Sequence, residues 1–82
     1  MNKKVYESVK NGKSDNNIGY ADFQNLAVAL GFVKRRQRGS HTMYYHKRVG
    51  AYLNIQKDGS KAKSYQVEQL REIIIAHDLK GE

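Results

Sequence analysis

Two stretches of the chain repeat their hydrophobic residues at intervals of three and four, the period of an α-helix with one buried face. The first runs from Tyr20 to Leu30 and stops before Gly31, a residue that favours helix termination. The second follows Ser64, a favourable N-cap residue, and runs roughly from Tyr65 to His77. The pattern predicts that both helices pack on a common core through these residues: Tyr20, Phe23, Leu26, Ala27, Leu30, Val67, Leu70, Ile73 and Ile74.

Three segments between the predicted helices have the character of β-strands. Short turns connect them, so we expect antiparallel pairing in one sheet of Phe32–Arg38, His41–Lys47 and Ala51–Gln56. In the third segment Leu53 and Ile55 alternate with polar residues, which predicts that they face the core. In the second, both faces carry aromatic or hydrophobic side chains, so alternation does not identify the inward face. Two helices would cover one face of the sheet and leave the other for a ligand.

The N-terminal segment is less regular. Residues 3–11 predict a short helix with hydrophobic residues on one side, and Asn11–Asn17 is typical of a polar linker. We therefore expect an N-terminal extension over residues 1–17 and one domain over residues 18–82. The predicted fold class is α+β, with the order helix, three-stranded antiparallel sheet, helix.

The chain has a strong excess of positive charge. Fifteen Lys and Arg residues stand against eight Asp and Glu residues, for a formal net charge of +7. Such an excess favours polyanions, with nucleic acid as the first partner to consider and an acidic protein surface as the second. The sequence has no cysteine, no apolar run long enough to cross a membrane and no secretory signal, so we expect a cytoplasmic protein without membrane binding.

One short stretch combines the residue types that chemistry on a phosphate requires. Gly39 allows a turn, and His41 follows it at the start of a predicted strand, where it can transfer protons near neutral pH. Gly39 and Ser40 can offer backbone N–H groups and a hydroxyl to a phosphate. The cations that could offset its charge are Arg35, Arg36, Arg38 and Lys47. RNA cleavage by internal attack of the 2′-hydroxyl needs such a set of groups.

A second basic patch lies after the third predicted strand, in a predicted loop before a helix N-terminus, where anions bind readily. Its lysines are Lys57, Lys61 and Lys63. The same composition is typical of a solvated loop, so both interpretations stay open. The carboxylates are scattered along the chain, and we expect no metal and no cofactor.

The chain also resembles a known family. Gly39-Ser40-His41 with Tyr44 and His46, followed by Leu53–Gly59 and Lys61–Val67, is similar to the HicA (YcfA-like) toxin family over roughly residues 18–79. The resemblance implies a double-stranded-RNA-binding-like fold and a metal-independent endoribonuclease, an mRNA interferase toxin that inhibits translation by cleaving mRNA. It also implies a HicB-type antitoxin as partner, whose contact surface the positive charge predicts to be acidic.

The family's catalytic histidine corresponds to His41 as general acid or base. The common family pattern has a second histidine where this chain has Thr42, so His46 is the candidate for sharing the proton transfer and contacting RNA. Two alternatives stay open: a non-catalytic RNA-binding module of the same fold, and a basic protein whose charge serves to bind an acidic partner. The Gly-Ser-His setting of His41 favours the nuclease.

Overall fold

A computed structural model describes residues 1–39 and 41–81 of the chain. The helices are α1 (Lys3–Asn11), α2 (Tyr20–Ala29) and α3 (Ser64–His77), with a short 3-10 turn at Asp15–Asn17. The strands are β1 (Val33–Arg38), β2 (His41–His46), β3 (Ala51–Asp58) and β4 (Lys61–Ala62). The α+β class and the order of helix, antiparallel sheet and helix are confirmed.

The sheet has four antiparallel strands in the order β1-β2-β3-β4, one more than the sequence predicted. We predicted a basic loop at Lys61–Lys63, but Lys61 and Ala62 pair with the end of β3 across a tight turn at Gly59, whose φ is 64°. The backbone N–H of Ala62 also donates to the Ile18 carbonyl over 2.9 Å. The loop prediction was wrong because a two-residue strand is too short to show any alternation.

α2 and α3 pack on one face of the sheet, and α1 packs against these two helices. The inward side chains of β2 are Thr42, Tyr44 and His46, which join Leu53 and Ile55 of β3 under the helices. This resolves the ambiguity of the second predicted strand, because His41, Met43 and Tyr45 occupy the opposite face. That second face is left uncovered, as the helix–sheet–helix order predicted.

The start of α3 differs in detail from the prediction. The N-cap residue is Lys63, in an extended conformation and without a side-chain cap, and Ser64 is already helical. The prediction that Ser64 caps the helix was therefore wrong. The first turn is instead tied to the sheet through Gln66, a buried residue whose Oε1 accepts the Gln56 N–H over 2.7 Å.

The N-terminal segment packs closely with the rest of the chain. Tyr6 and Val9 of α1 are buried, and the Tyr6 hydroxyl donates to the Leu79 carbonyl over 2.8 Å. Arg71 of α3 forms a bidentate ion pair with Asp15 at 2.8 and 3.0 Å, and its Nη1 also donates to the Val9 carbonyl. The carboxylate raises the pKa of the Arg71 guanidinium further above its usual value. Residues 1–17 thus contribute to the core that supports the sheet.

Candidate nucleic-acid interface

The uncovered side of β1, β2 and β3, which we call the open face, is built from three cross-strand rows. Residues that pair across antiparallel strands lie on the same side of a sheet, so the strand register defines each row. From the β1–β2 turn outwards the rows are Arg38–His41–Gln56, Arg36–Met43–Asn54 and Val33–Tyr45–Tyr52. A histidine thus lies between an arginine and a glutamine, and an aromatic pair lies two rows away from it.

A β-bulge in β1 collects the arginines on this face. The register shifts between Lys34 and Arg36, so Arg35 is the extra residue and has no partner on β2. Regular alternation would place Arg35 on the opposite side from Arg36 and Arg38. In the bulge its guanidinium lies 5.3 Å from the centroid of the Tyr45 ring, on the open face. Three arginines of one short strand therefore share the surface that carries His41.

Two shallow depressions run along the open face. One of about 190 Å³ lies beside His41 and is lined by Arg36, Arg38, Met43 and Asn54. The other, of about 730 Å³, is lined by Arg35, Arg36, Met43 and Tyr52. They share Arg36 and Met43, so together they form a continuous track from His41 to the tyrosines.

His41 itself is exposed at the β1–β2 turn. Gly39 has a φ of 56°, in the left-handed region that favours glycine, and a Cβ there would meet none of the described residues beyond its chain neighbours within 4 Å. Ser40, the other predicted phosphate contact, lies outside the described residues.

His46 does not join this site. It is only 4% exposed, its Nε2 lies 2.8 Å from the Leu30 carbonyl oxygen, and its ring meets Phe32 edge to face at 5.1 Å. Because a carbonyl only accepts, Nε2 must carry the proton of this hydrogen bond. This hydrogen bond links the end of α2 to β2. Because His46 is buried on the opposite side of the sheet from His41, the prediction that it contacts RNA or shares proton transfer with His41 is corrected.

The predicted lysines lie outside the three rows of the open face. Lys57 faces the helix side, where its ammonium is 5.1 Å from the Tyr20 ring centroid. Lys61 donates to the Asn17 side-chain oxygen, and Lys63 lies 5.9 Å from the Tyr65 ring. These three are near the same end of the sheet as His41, because Gln56 pairs with His41 and precedes Lys57. Lys47 follows β2 at the other end, about 20 Å from His41 at the usual rise of a strand.

A polar cleft of about 480 Å³ lies on the helix side of the β1–β2 hairpin. Its lining includes Lys34, Gln37 and Thr42. Gln24 of α2 donates to the hydroxyls of Tyr20 and Tyr44 over 3.2 and 3.3 Å. Burial raises the pKa of the Tyr44 hydroxyl, which therefore stays protonated at neutral pH. The sheet separates this cleft from His41.

Sequence reasoning missed three residues of the site: Tyr52, Asn54 and Gln56. It assigned them to the polar side of the third strand but did not connect that side with His41. The alternation of β3 places these three residues on one side of the strand, but only the register between β2 and β3 shows that this side lies next to His41.

Among residues 1–39 and 41–81, no three His, Asp or Glu side chains come together as metal ligands would. In the same part of the chain, no helix has the length and apolar character needed to span a membrane.

Comparisons with protein-family models, with curated proteins and with solved structures find no match to this chain.

Proposed function

We propose that this protein is a metal-independent endoribonuclease of the HicA type, a cytoplasmic toxin that cleaves mRNA and thereby inhibits translation. The observation that carries the proposal is the first row of the open face, where the exposed His41 lies directly across from Arg38 on β1. Arg36 lines the depression next to His41. A proton-transfer group and fixed cations therefore share one accessible surface.

The proposed reaction is internal transesterification. The 2′-hydroxyl of one ribose attacks the adjacent phosphorus, the bond from phosphorus to the 5′-oxygen breaks, and a 2′,3′-cyclic phosphate and a 5′-hydroxyl result. His41 either takes the proton from the 2′-hydroxyl or supplies one to the leaving 5′-oxygen. The arginines stabilise the negative charge that accumulates on the phosphorane oxygens.

Only one of the two proton transfers is assigned to a side chain. The row partners of His41, Arg38 and Gln56, do not exchange protons near neutral pH. His46 is buried on the opposite side of the sheet. In this proposal His41 carries out one transfer and solvent at the exposed face carries out the other.

The proposal is tested with purified protein, a labelled RNA and EDTA. His41→Ala should reduce the cleavage rate by about 10²–10⁴-fold, the usual contribution of general acid–base catalysis, without lowering the melting temperature. His77→Ala is the matched control, since His77 is exposed at the end of α3. Full cleavage by His41→Ala, or activity that disappears with EDTA and returns with Mg²⁺, would contradict the proposal. Wild-type products should end in a cyclic phosphate.

The second candidate function is a non-catalytic RNA-binding module. The exposure of every residue of β1, which carries one lysine and three arginines, favours RNA binding whether or not cleavage follows. The same assay separates the two functions, because a binding module would retain labelled RNA without shortening it.

An acidic HicB-type antitoxin is the proposed protein partner. Its simplest mode of inhibition is to cover the open face, where it would exclude RNA and hide His41. We expect RNA and partner to compete for the His41→Ala variant. Simultaneous binding with neither affinity changed would contradict this mode of inhibition.

A further inference from the structure

The third row of the open face holds a pair of tyrosines whose role the proposed cleavage leaves unassigned. The rings of Tyr45 and Tyr52 have their centroids 4.6 Å apart and are inclined at 43°. Tyr52 is 56% exposed and Tyr45 is half-buried, so Tyr52 presents most of the aromatic surface of the pair to solvent. Arg35 lies against Tyr45, and the larger depression reaches Tyr52.

These rings lie outside the hydrophobic core. The buried residues of β2 and β3 lie on the helix side, and the tyrosines occupy the opposite side. Aromatic rings that face solvent beside cations are the groups on which single-stranded nucleic acids stack their bases. In duplex RNA the bases are already stacked on each other, so their faces are not available to a protein.

We propose that Tyr45 and Tyr52 form a base-stacking subsite, which makes unpaired, single-stranded RNA the ligand of the open face. Only the relation between this subsite and cleavage at His41 rests on the proposed function. It assigns the tyrosines to base binding and the arginines to the phosphates.

The spacing on β2 connects the subsite with the candidate catalytic residue. Tyr45 lies four residues after His41 on the same side of the strand, about 13 Å away at the usual rise. Between them lies the row of Arg36, Met43 and Asn54, with Arg36 and Met43 lining both depressions. A base stacked on the tyrosines would therefore lie a few nucleotides from the bond at His41. The RNA would have to be unpaired between the stacked base and the bond at His41.

The charge of the face favours RNA over a protein as the ligand of the tyrosines. None of the described residues in the three rows is acidic, and three arginines lie along the track. A protein partner would need acidic groups matched to each arginine, together with a hydrophobic group for the tyrosines. An RNA strand supplies evenly spaced phosphates and flat bases in one repeating unit.

The test measures binding of a short labelled single-stranded RNA in the His41→Ala background, so that no cleavage intervenes. Tyr52→Ala should weaken binding by roughly 5- to 150-fold, the range found for loss of one base–aromatic stack, whereas Tyr52→Phe should keep most of the affinity. Tyr65→Ala is the matched control, because Tyr65 is 59% exposed on α3 and also has a lysine over its ring. It should bind like the parent protein.

A scan with abasic nucleotides shows whether a base is what the tyrosines contact. Removal of one base should weaken binding to the parent protein, and the same removal should have little further effect on Tyr52→Ala, because the two changes delete one interaction. A fully paired competitor should bind more weakly than the single strand. Equal binding of duplex and single strand, or unchanged RNA binding by Tyr52→Ala, would overturn the inference. The tyrosine pair would then be a candidate contact for a protein partner.

Failure of the inference is distinguishable from failure of the proposed function. A chain that stacks bases but leaves every RNA intact would keep the subsite and lose the nuclease. A chain that cleaves at full rate after Tyr52→Ala, with unchanged RNA affinity, would keep the nuclease and lose the subsite.

Discussion

The side-chain directions in β1 predict which of two neighbouring cations contacts RNA. Arg35 and Lys34 are neighbours in the chain and carry the same charge, but Arg35 lies on the open face and Lys34 lies opposite Tyr44 on the helix side. We therefore expect Arg35→Gln to weaken RNA binding and Lys34→Gln to have little effect. Each variant removes one positive charge, so a difference between them cannot come from the net charge of the protein.

The magnitude follows from counterion release. Each phosphate contact with a single strand contributes roughly 0.7 to the slope of log affinity against log salt. Raising the salt fourfold should therefore reduce the affinity by about threefold for each contact. If Arg35, Arg36 and Arg38 each contact one phosphate, their joint replacement by Gln should lower the slope by about 2.

The assay is fluorescence anisotropy with a labelled single-stranded RNA, measured at several salt concentrations in the His41→Ala background. Arg35→Gln should lower the slope by roughly 0.7, the value of one contact, and Lys34→Gln should leave it unchanged. Identical slopes for the two variants, or a loss confined to Lys34→Gln, would refute the assignment of the arginines to the RNA-binding face.

Three further predictions concern the lysines and the core. Joint replacement of Lys57, Lys61 and Lys63 by Gln should lower the salt slope of RNA affinity less than replacement of the three arginines does. The reason is that these lysines already contact other side chains, namely Tyr20, Asn17 and Tyr65. An equal loss of slope in the same titration would argue against this ranking. Gly31→Ala should lower the free energy of unfolding in urea by about 2–4 kcal/mol, against about 1–2 kcal/mol for Gly39→Ala. Both glycines have positive φ, but a Cβ at Gly31 would lie 2.7 Å from His46 Nε2; equal costs would show that this contact relaxes freely. Tyr6→Phe should cost about 1–3 kcal/mol because the buried Leu79 carbonyl loses its donor, whereas Tyr65→Phe should be neutral. A neutral Tyr6→Phe in the same denaturation would mean that this hydrogen bond adds little to stability.

The helices and the third strand could be predicted from the sequence because each buries one face with a regular period. The hydrophobic positions of α2 and α3 and the inward Leu53 and Ile55 are where periodicity placed them. Alternation also constrains the faces on which the two histidines of β2 lie. His41 and His46 are five residues apart on one strand, so alternation already puts them on opposite faces and only the choice of the buried one was open.

The rest of the site depends on contacts between segments that are distant in the chain. The bulge at Arg35 exists only in relation to the partner strand, and simple parity separates Arg35 from Arg36. Tyr52 becomes a neighbour of Tyr45 through the register of β2 and β3. Neither relation leaves a periodic signal within its own segment, which is why the sequence predicted the arginines and His41 but not the aromatic pair.

The position of β1 in the sheet has a consequence for how the protein avoids aggregation. β1 is an edge strand, it is exposed along its whole length, and its outer backbone groups could pair with a strand of another molecule. Repulsion between its arginines and lysine in neighbouring molecules, together with the bulge, hinders such pairing. Neutral replacements in β1 would weaken this protection as well as the proposed RNA binding, so the monodispersity of such variants has to be measured alongside their affinity.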